Sequence, residues 1–103
     1  MRVNSVLFLI PMVSGRNSIG DDIEVEGEKR KVFGEKISIR QSEFYQAAAN
    51  GFKPEIAFKI WAIEYKGEEL LEYKNQKYSI IRTFEKGETI ELICEGMVNN
   101  GSS

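Results

Sequence analysis

The sequence predicts a mainly β protein. It is expected to be a small antiparallel β-barrel or sandwich of about six to seven strands, with one short inserted α-helix at about residues 42–50 and a long flexible loop or arm at about residues 14–31. Three observations lead there. Short runs rich in Val, Ile, Phe and Tyr recur between Gly- and Asn-containing turns, as strands of a meander do. Only one stretch, Arg40–Pro54, carries both a start and a stop signal for a helix. Finally, 103 residues with 42% hydrophobic content can bury one modest core, so residues 1–103 are read as a single domain.

The first strand is expected over residues 5–12, nearly all apolar, as in a strand covered on both faces or lying at an interface. Pro11 removes a ladder donor and marks its end or an edge. Residues 14–22 are dominated by Gly, Ser, Asn and Asp and read as an exposed, mobile loop. Ile23-Glu24-Val25-Glu26 alternates apolar and acidic residues until Gly27 breaks it. From Asp21 to Glu28 there are five acids and no base, and Lys29, Arg30 and Lys31 follow directly. Two readings fit this charge pattern: a hairpin arm whose acidic half pairs with its basic half, or an arm that meets a partner or lines a channel.

Residues 32–39 form the next strand, with Val32 and Gly34 on one face and Phe33, Ile37 and Ile39 on the other. Gly34 marks a bulge or a close backbone approach. In the helix, Ser42 is the expected N-cap and Glu43 complements the positive end of the dipole. Phe44, Ala47 and Ala48 make the stripe expected to face the core, leaving Glu43 and Gln46 free on the outer face. Asn50-Gly51 and Pro54 end it.

Residues 54–65 are the longest expected strand, with Ile56, Phe58 and Ile60 sharing a face. The polar/apolar partition fails after Trp61, which a bulge near residues 60–62 or an apolar outer face would explain. Trp61 and Tyr65 are therefore candidate contacts to a neighbouring subunit or loop, with core packing the competing use of Trp61. Strands near residues 70–73, 78–84 and 89–95 complete the meander, and a Glu72–Arg82 pair across a hairpin is expected. Residues 97–103 read as a disordered tail.

The chemistry suggested by composition is sparse. No histidine is present, and Cys94 is the single cysteine, expected to lie buried on the face of Ile90 and Leu92. No phosphate-binding glycine loop, metal-spaced cluster or nucleophile set is found, so no enzyme, metal or cofactor is expected. The formal net charge of -2, with mixed signs, argues against a dedicated nucleic-acid binder. The aromatics leave an oligonucleotide-binding barrel as an alternative. No run approaches the ~20 apolar residues of a membrane span, and no signal peptide is recognisable, so a cytoplasmic setting without membrane contact is expected.

A family resemblance adds to this. Val32-Phe33-Gly34-Glu35-Lys36 and Ser38-Ile39-Arg40-Gln41-Ser42-Glu43-Phe44-Tyr45-Gln46-Ala47 are followed by Gly51-Phe52-Lys53-Pro54-Glu55-Ile56-Ala57-Phe58. Leu71-Glu72-Tyr73, Lys77-Tyr78-Ser79-Ile80-Ile81-Arg82-Thr83-Phe84 and Glu91-Leu92-Ile93-Cys94-Glu95 complete the set. Together, over about residues 5–96, these strings resemble the head–tail joining proteins of long-tailed phages and prophages, also called head-closure, stopper or head–tail adaptor proteins. Two departures are local: Gly34 stands where relatives more often carry alanine, and Asn75-Gln76 replaces an Asn-Gly turn.

The resemblance implies a non-enzymatic virion protein, assembled in the host bacterial cytoplasm. It would form a ring beneath the portal at the capsid vertex, closing the head after DNA packaging and presenting a surface to the tail. The implied partners are further copies of itself, a portal or adaptor protein on the head side and a tail-completion or tail-tube protein on the tail side. DNA would pass through the channel without specific binding, and the subunit would be monomeric before assembly. Another connector component, adaptor or tail-completion protein, is the nearest alternative. Within this frame Asp21, Asp22, Glu24, Glu26 and Glu28 are candidate lumen residues. Lys29, Arg30, Lys31, Glu43, Gln46, Trp61 and Tyr65 are candidate contacts to a neighbour or partner.

Overall fold

The computed structural model describes residues 1–97, and the expected tail lies outside the described residues from position 98 onward. Along the chain the elements are β1 (Ser5–Ile10), β2 (Met12–Arg16), β3 (Asp22–Glu26), β4 (Arg30–Ile37), α1 (Gln41–Ala49) and β5 (Ile56–Trp61). A 3₁₀ turn (Ala62–Glu64), β6 (Leu70–Tyr73), β7 (Gln76–Lys86) and β8 (Thr89–Gly96) follow. Six strands close a barrel in the order β1-β4-β5-β8-β7-β6, and β2 with β3 makes a separate two-stranded sheet. Every pairing is antiparallel, including the β1–β6 contact that closes the barrel. A closed sheet has no free edge, which removes the main aggregation hazard of a small β protein.

The interior follows from strand alternation. Leu7 and Leu9, Val32, Ile56, Phe58 and Ile60, Leu71, and Ile90, Leu92 and Cys94 form one buried cluster filling the barrel. Each fully buried aliphatic or aromatic side chain there contributes about 1.5–3 kcal/mol. Cys94 belongs to this packing, and burial pushes its thiol well above the ordinary value, so no thiolate forms there.

Gly34 is the close approach expected of it. A Cβ at this position would lie 2.7 Å from both Ile60 Cγ2 and the Lys59 carbonyl oxygen. In this backbone the glycine lets β4 press directly onto β5, where an alanine would force the strands apart.

Several boundaries differ from the sequence expectation, each for a local reason. The first strand ends at Ile10, and Pro11 separates it from β2. Alternation in β1 leaves Val6 exposed, so that strand is covered on one face only. The long strand ends at Trp61 because the chain enters the 3₁₀ turn, which is why the periodicity fails there. The helix begins at Gln41 with Arg40 at the cap position and no side-chain cap, so Ser42 lies inside its first turn. At its other end Gly51 adopts φ +84° and terminates it as expected.

The helix also presents a different face. Glu43 and Ala47 are buried, whereas Phe44 is exposed. Glu43 pairs with Arg82 of β7, and Arg40 Nη2 lies 2.8 Å from Glu91 Oε1 of β8. These contacts hold α1 on the outside of the barrel. Ala57 and Ile93, paired across β5 and β8 on the outward parity, are nonetheless fully buried beneath that side.

Candidate functional site

The most distinctive feature outside the barrel is the β2–β3 hairpin inserted between β1 and β4. Five-residue strands extend about 17 Å, and the molecule measures 45 Å along its long axis against 29 and 23 Å across. The expected long flexible loop or arm at about residues 14–31 is an arm, and it is an ordered hairpin and not a loop. Residues 12–26 form a registered ribbon pairing Met12 with Glu26, Val13 with Val25, Ser14 with Glu24, Gly15 with Ile23 and Arg16 with Asp22. Its tip is ordered by Asn17, whose Oδ1 accepts from the backbone N–H of Ile19 (3.1 Å) and Asp21 (2.9 Å). Gly20 donates to the Asn17 carbonyl and takes φ +88°.

The ribbon has two unlike faces, because strand pairing places opposed residues on the same side. Val13, Val25 and Ile23 share one face with Gly15. Arg16, Asp22, Glu24 and Glu26 share the other with Met12 and Ser14. The acidic strand thus pairs with β2 and not with the basic residues that follow it. All five candidate lumen acids, Asp21, Asp22, Glu24, Glu26 and Glu28, are exposed on this arm. Two are neutralised locally: Asp22 by Arg16 at 3.6 Å, and Glu26 by Lys77 Nζ of β7 at 2.6 Å. Among the described residues, Asp21, Glu24 and Glu28 make no ion pair.

The root is built from backbone and charge. Gly27 N–H donates to the Pro11 carbonyl at 2.7 Å, closing the base of the ribbon. A Cβ on Gly27 would meet Val13 Cγ1 at 2.9 Å and the Pro11 carbonyl at 3.3 Å, so only glycine seats there without a shift. The basic triplet then divides. Lys29 pairs with Glu72 at 3.2 Å. Lys31 points outward, its ammonium 5.4 Å from the centre of the Phe33 ring. Arg30 shares its parity with Val32 and Gly34 and so turns to the barrel mouth.

At that mouth Arg30 meets Glu68 Oε2 at 2.7 Å and Glu64 Oε2 at 3.1 Å. Glu68 is buried, and its other oxygen accepts from the Lys66 N–H at 2.8 Å. Burial disfavours the charged form of Glu68, but the hydrogen bonds from Arg30 and Lys66 and the guanidinium charge outweigh it, and its pKa falls below the ordinary value. The Tyr65 hydroxyl donates to the Glu68 carbonyl at 2.8 Å, and its ring packs on the core cluster. Burial first, and the Glu68 charge second, raise the Tyr65 pKa. Beside this plug lies an open cleft of about 390 Å³ between the hairpin (Met12, Glu24) and residues 66–69.

Of the candidate contact residues, the structure leaves Lys29, Lys31, Gln46 and Trp61 exposed, Lys29 while paired with Glu72. Arg30 and Tyr65 are instead committed to the mouth. Glu43 is corrected: it is 7% exposed and faces Arg82 from the inner side of the helix. The expected Glu72–Arg82 pair is also corrected, since Glu72 is opposite Lys77 and pairs with Lys29.

Sequence reasoning missed Glu68 and the exposure of Phe33. The signal for the latter was present in the alternation of β4, because a buried Val32 sends Phe33 outward. Among the described residues no group of three His, Cys, Asp or Glu side chains is placed to hold a metal ion.

No protein-family model matches the chain, and no curated protein matches it significantly.

Proposed function

We propose that this protein is a structural subunit of a phage head–tail connector, a head-closure ring protein. The reading rests on the residue strings quoted above and is supported by one structural observation. A closed barrel with no free edge carries a single projecting ribbon with five acids against one arginine between residues 12 and 28. A barrel of this kind is a rigid block for a ring wall. An acidic ribbon is suited to a channel that DNA must leave without sticking, because like charge repels the phosphate backbone. In the assembled ring the subunit touches its own copies sideways, a portal or adaptor protein above and a tail protein below.

Removing the gene from an inducible phage tests this. The expected result is heads that package DNA, lose it and fail to join tails. Normal virions, or empty unexpanded heads, would overturn the assignment. Excising residues 12–27 in the intact phage is expected to leave a folded barrel that no longer retains DNA in the head. Imaging the connector separates closure protein, adaptor and tail-completion protein by position.

A further inference from the structure

We infer that the outer edge of β3 is a docking edge for an extended segment of another protein, one in which basic and apolar residues alternate, added to the ribbon as a third strand. The inference goes beyond the connector reading and does not rest on it.

Backbone parity shows which groups the edge offers. At the tip the Asn17 N–H donates to the Asp21 carbonyl, and at the root the Gly27 N–H donates to the Pro11 carbonyl. In an antiparallel ladder, directly opposed residues alternate between bonded and non-bonded pairs. Asn17–Asp21, Gly15–Ile23, Val13–Val25 and Pro11–Gly27 are therefore the bonded pairs. The N–H and C=O groups of Asp22, Glu24 and Glu26 point the other way, off the ribbon. Among the described residues no backbone bond from outside the ribbon reaches them.

Of the two edges, that of β3 is the open one. Every residue of β3 is exposed, whereas Met12 and Gly15 of β2 are half-buried. A two-stranded ribbon is marginal in water, and a third strand supplies partners for its unpaired backbone groups. Adding a strand to an exposed edge is a recurrent mode of peptide capture, in which main-chain bonds give affinity and alternate side chains give specificity.

The side chains name the occupant. Strand pairing puts opposed residues on the same face, so a third strand meets Asp22, Glu24 and Glu26 on one face and Ile23 and Val25 on the other. Bases opposite the acids and apolar residues opposite Ile23 and Val25 satisfy both faces at once. Those apolar residues also extend the exposed row of Val13 and Val25 by one strand. Glu24 makes no ion pair among the described residues. The pairs Asp22–Arg16 and Glu26–Lys77 are exposed. Exposed pairs are weak, so both carboxylates stay open to an incoming base.

A second copy of this chain does not supply such a strand. Nowhere in the 103 residues do Lys or Arg occupy three alternate positions. The ribbon of a second copy brings its own five acids against one arginine between residues 12 and 28, and like charges opposed across strands repel. The occupant is a different protein.

Peptide titration of the full, isotope-labelled chain tests this. The probe is acetyl-Lys-Val-Lys-Val-Lys-amide, raised to about 1 mM, where even a millimolar site is half filled. The expected result is a saturable slowing of hydrogen exchange at the backbone N–H groups of Asp22, Glu24 and Glu26. The Glu-Val-Glu-Val-Glu peptide should not bind. Two N-methylated probes keep the charge and remove donors. Methyl groups on the lysine nitrogens block an antiparallel strand, and those on the valine nitrogens block a parallel one, so one of the two should lose binding and the other keep it. Glu24→Pro removes an outward N–H without breaking the β2–β3 ladder and should abolish binding. Glu24→Lys, which keeps the backbone intact, should weaken it severalfold.

No protection at these three amides, equal binding of both methylated probes, or retained binding by Glu24→Pro would overturn the inference. So would protection of the same amides in the peptide-free chain as its concentration rises, which would give the edge to a second copy. DNA retention by the head is read without the peptide, so the docking edge and the connector role fail independently.

Discussion

Arg30 Nη2 and Glu68 Oε2 stand 2.7 Å apart at the mouth of the barrel, joining the strand that leaves the hairpin to the loop before β6. Glu68→Gln should cost about 1.5–3 kcal/mol, the range for a hydrogen bond to a charged group, read as a lower urea midpoint. Because the folded pKa of Glu68 lies below its ordinary 4.5, its contribution is complete above that value and fades as pH falls through it. The gap between native and variant midpoints should therefore be full at neutral pH and narrow in acid. A gap that widened in acid would contradict the pairing.

Gly34 predicts a second outcome. Gly34→Ala places a methyl 2.7 Å from a backbone oxygen that has no rotamer to escape into. The expected cost is about 1–3 kcal/mol, seen as a fall of several degrees in thermal midpoint. A neutral or stabilising result would mean that β4 and β5 sit further apart than described.

The Glu43–Arg82 pair carries α1. Glu43→Ala leaves a guanidinium without its partner beneath the helix and should destabilise by about 1–3 kcal/mol. The double variant with Arg82→Met should recover part of that loss, since replacing both partners by apolar groups removes the stranded charge. Additive losses in the double-mutant cycle would show the two groups to be independent.

Lys74 and Asn75 at the β6–β7 turn have φ of 51° and 64°. Left-handed geometry suits asparagine but costs a lysine about 1 kcal/mol. Lys74→Gly should therefore stabilise the protein slightly despite the added flexibility of the unfolded chain. Measured midpoints that fall would show that Lys74, whose ammonium lies 5.3 Å from the Tyr73 ring centre, contributes more through that contact than its backbone loses.

Much of the barrel was legible because strand alternation is local information. Ile56, Phe58 and Ile60, and likewise Ile90, Leu92 and Cys94, declared their common face by spacing alone. The close approach at Gly34 was legible for a similar reason, as glycine inside a strand has few other uses. The ribbon was read as a loop because Gly15, Ser14 and Asn17 have low strand propensity. Its order comes from cross-strand pairing of Val13 with Val25 and from Asn17 capping the tip, contacts that no short window contains.

The candidate site was legible only in part. The acids of residues 21–28 were visible as a charge run, but their separation from Lys29, Arg30 and Lys31 was not. That separation depends on β3 pairing with β2 while β4 joins the barrel, a choice made by the whole sheet.

The sequence by itself determined which residues fill the barrel, where the turns fall and that one helix interrupts the strands. Tertiary structure decided which way the polar residues point. The clearest case is Arg82: a register shift between Ile80 and Arg82 sets Arg82 opposite Ile93, on the outer side, where α1 brings Glu43 to meet it. Without that extra residue Arg82 would stand level with Leu92 and point into the core. A one-residue bulge reverses every side chain after it, and its presence shows only in the pairing of β7 with β8, which no single strand's residues contain.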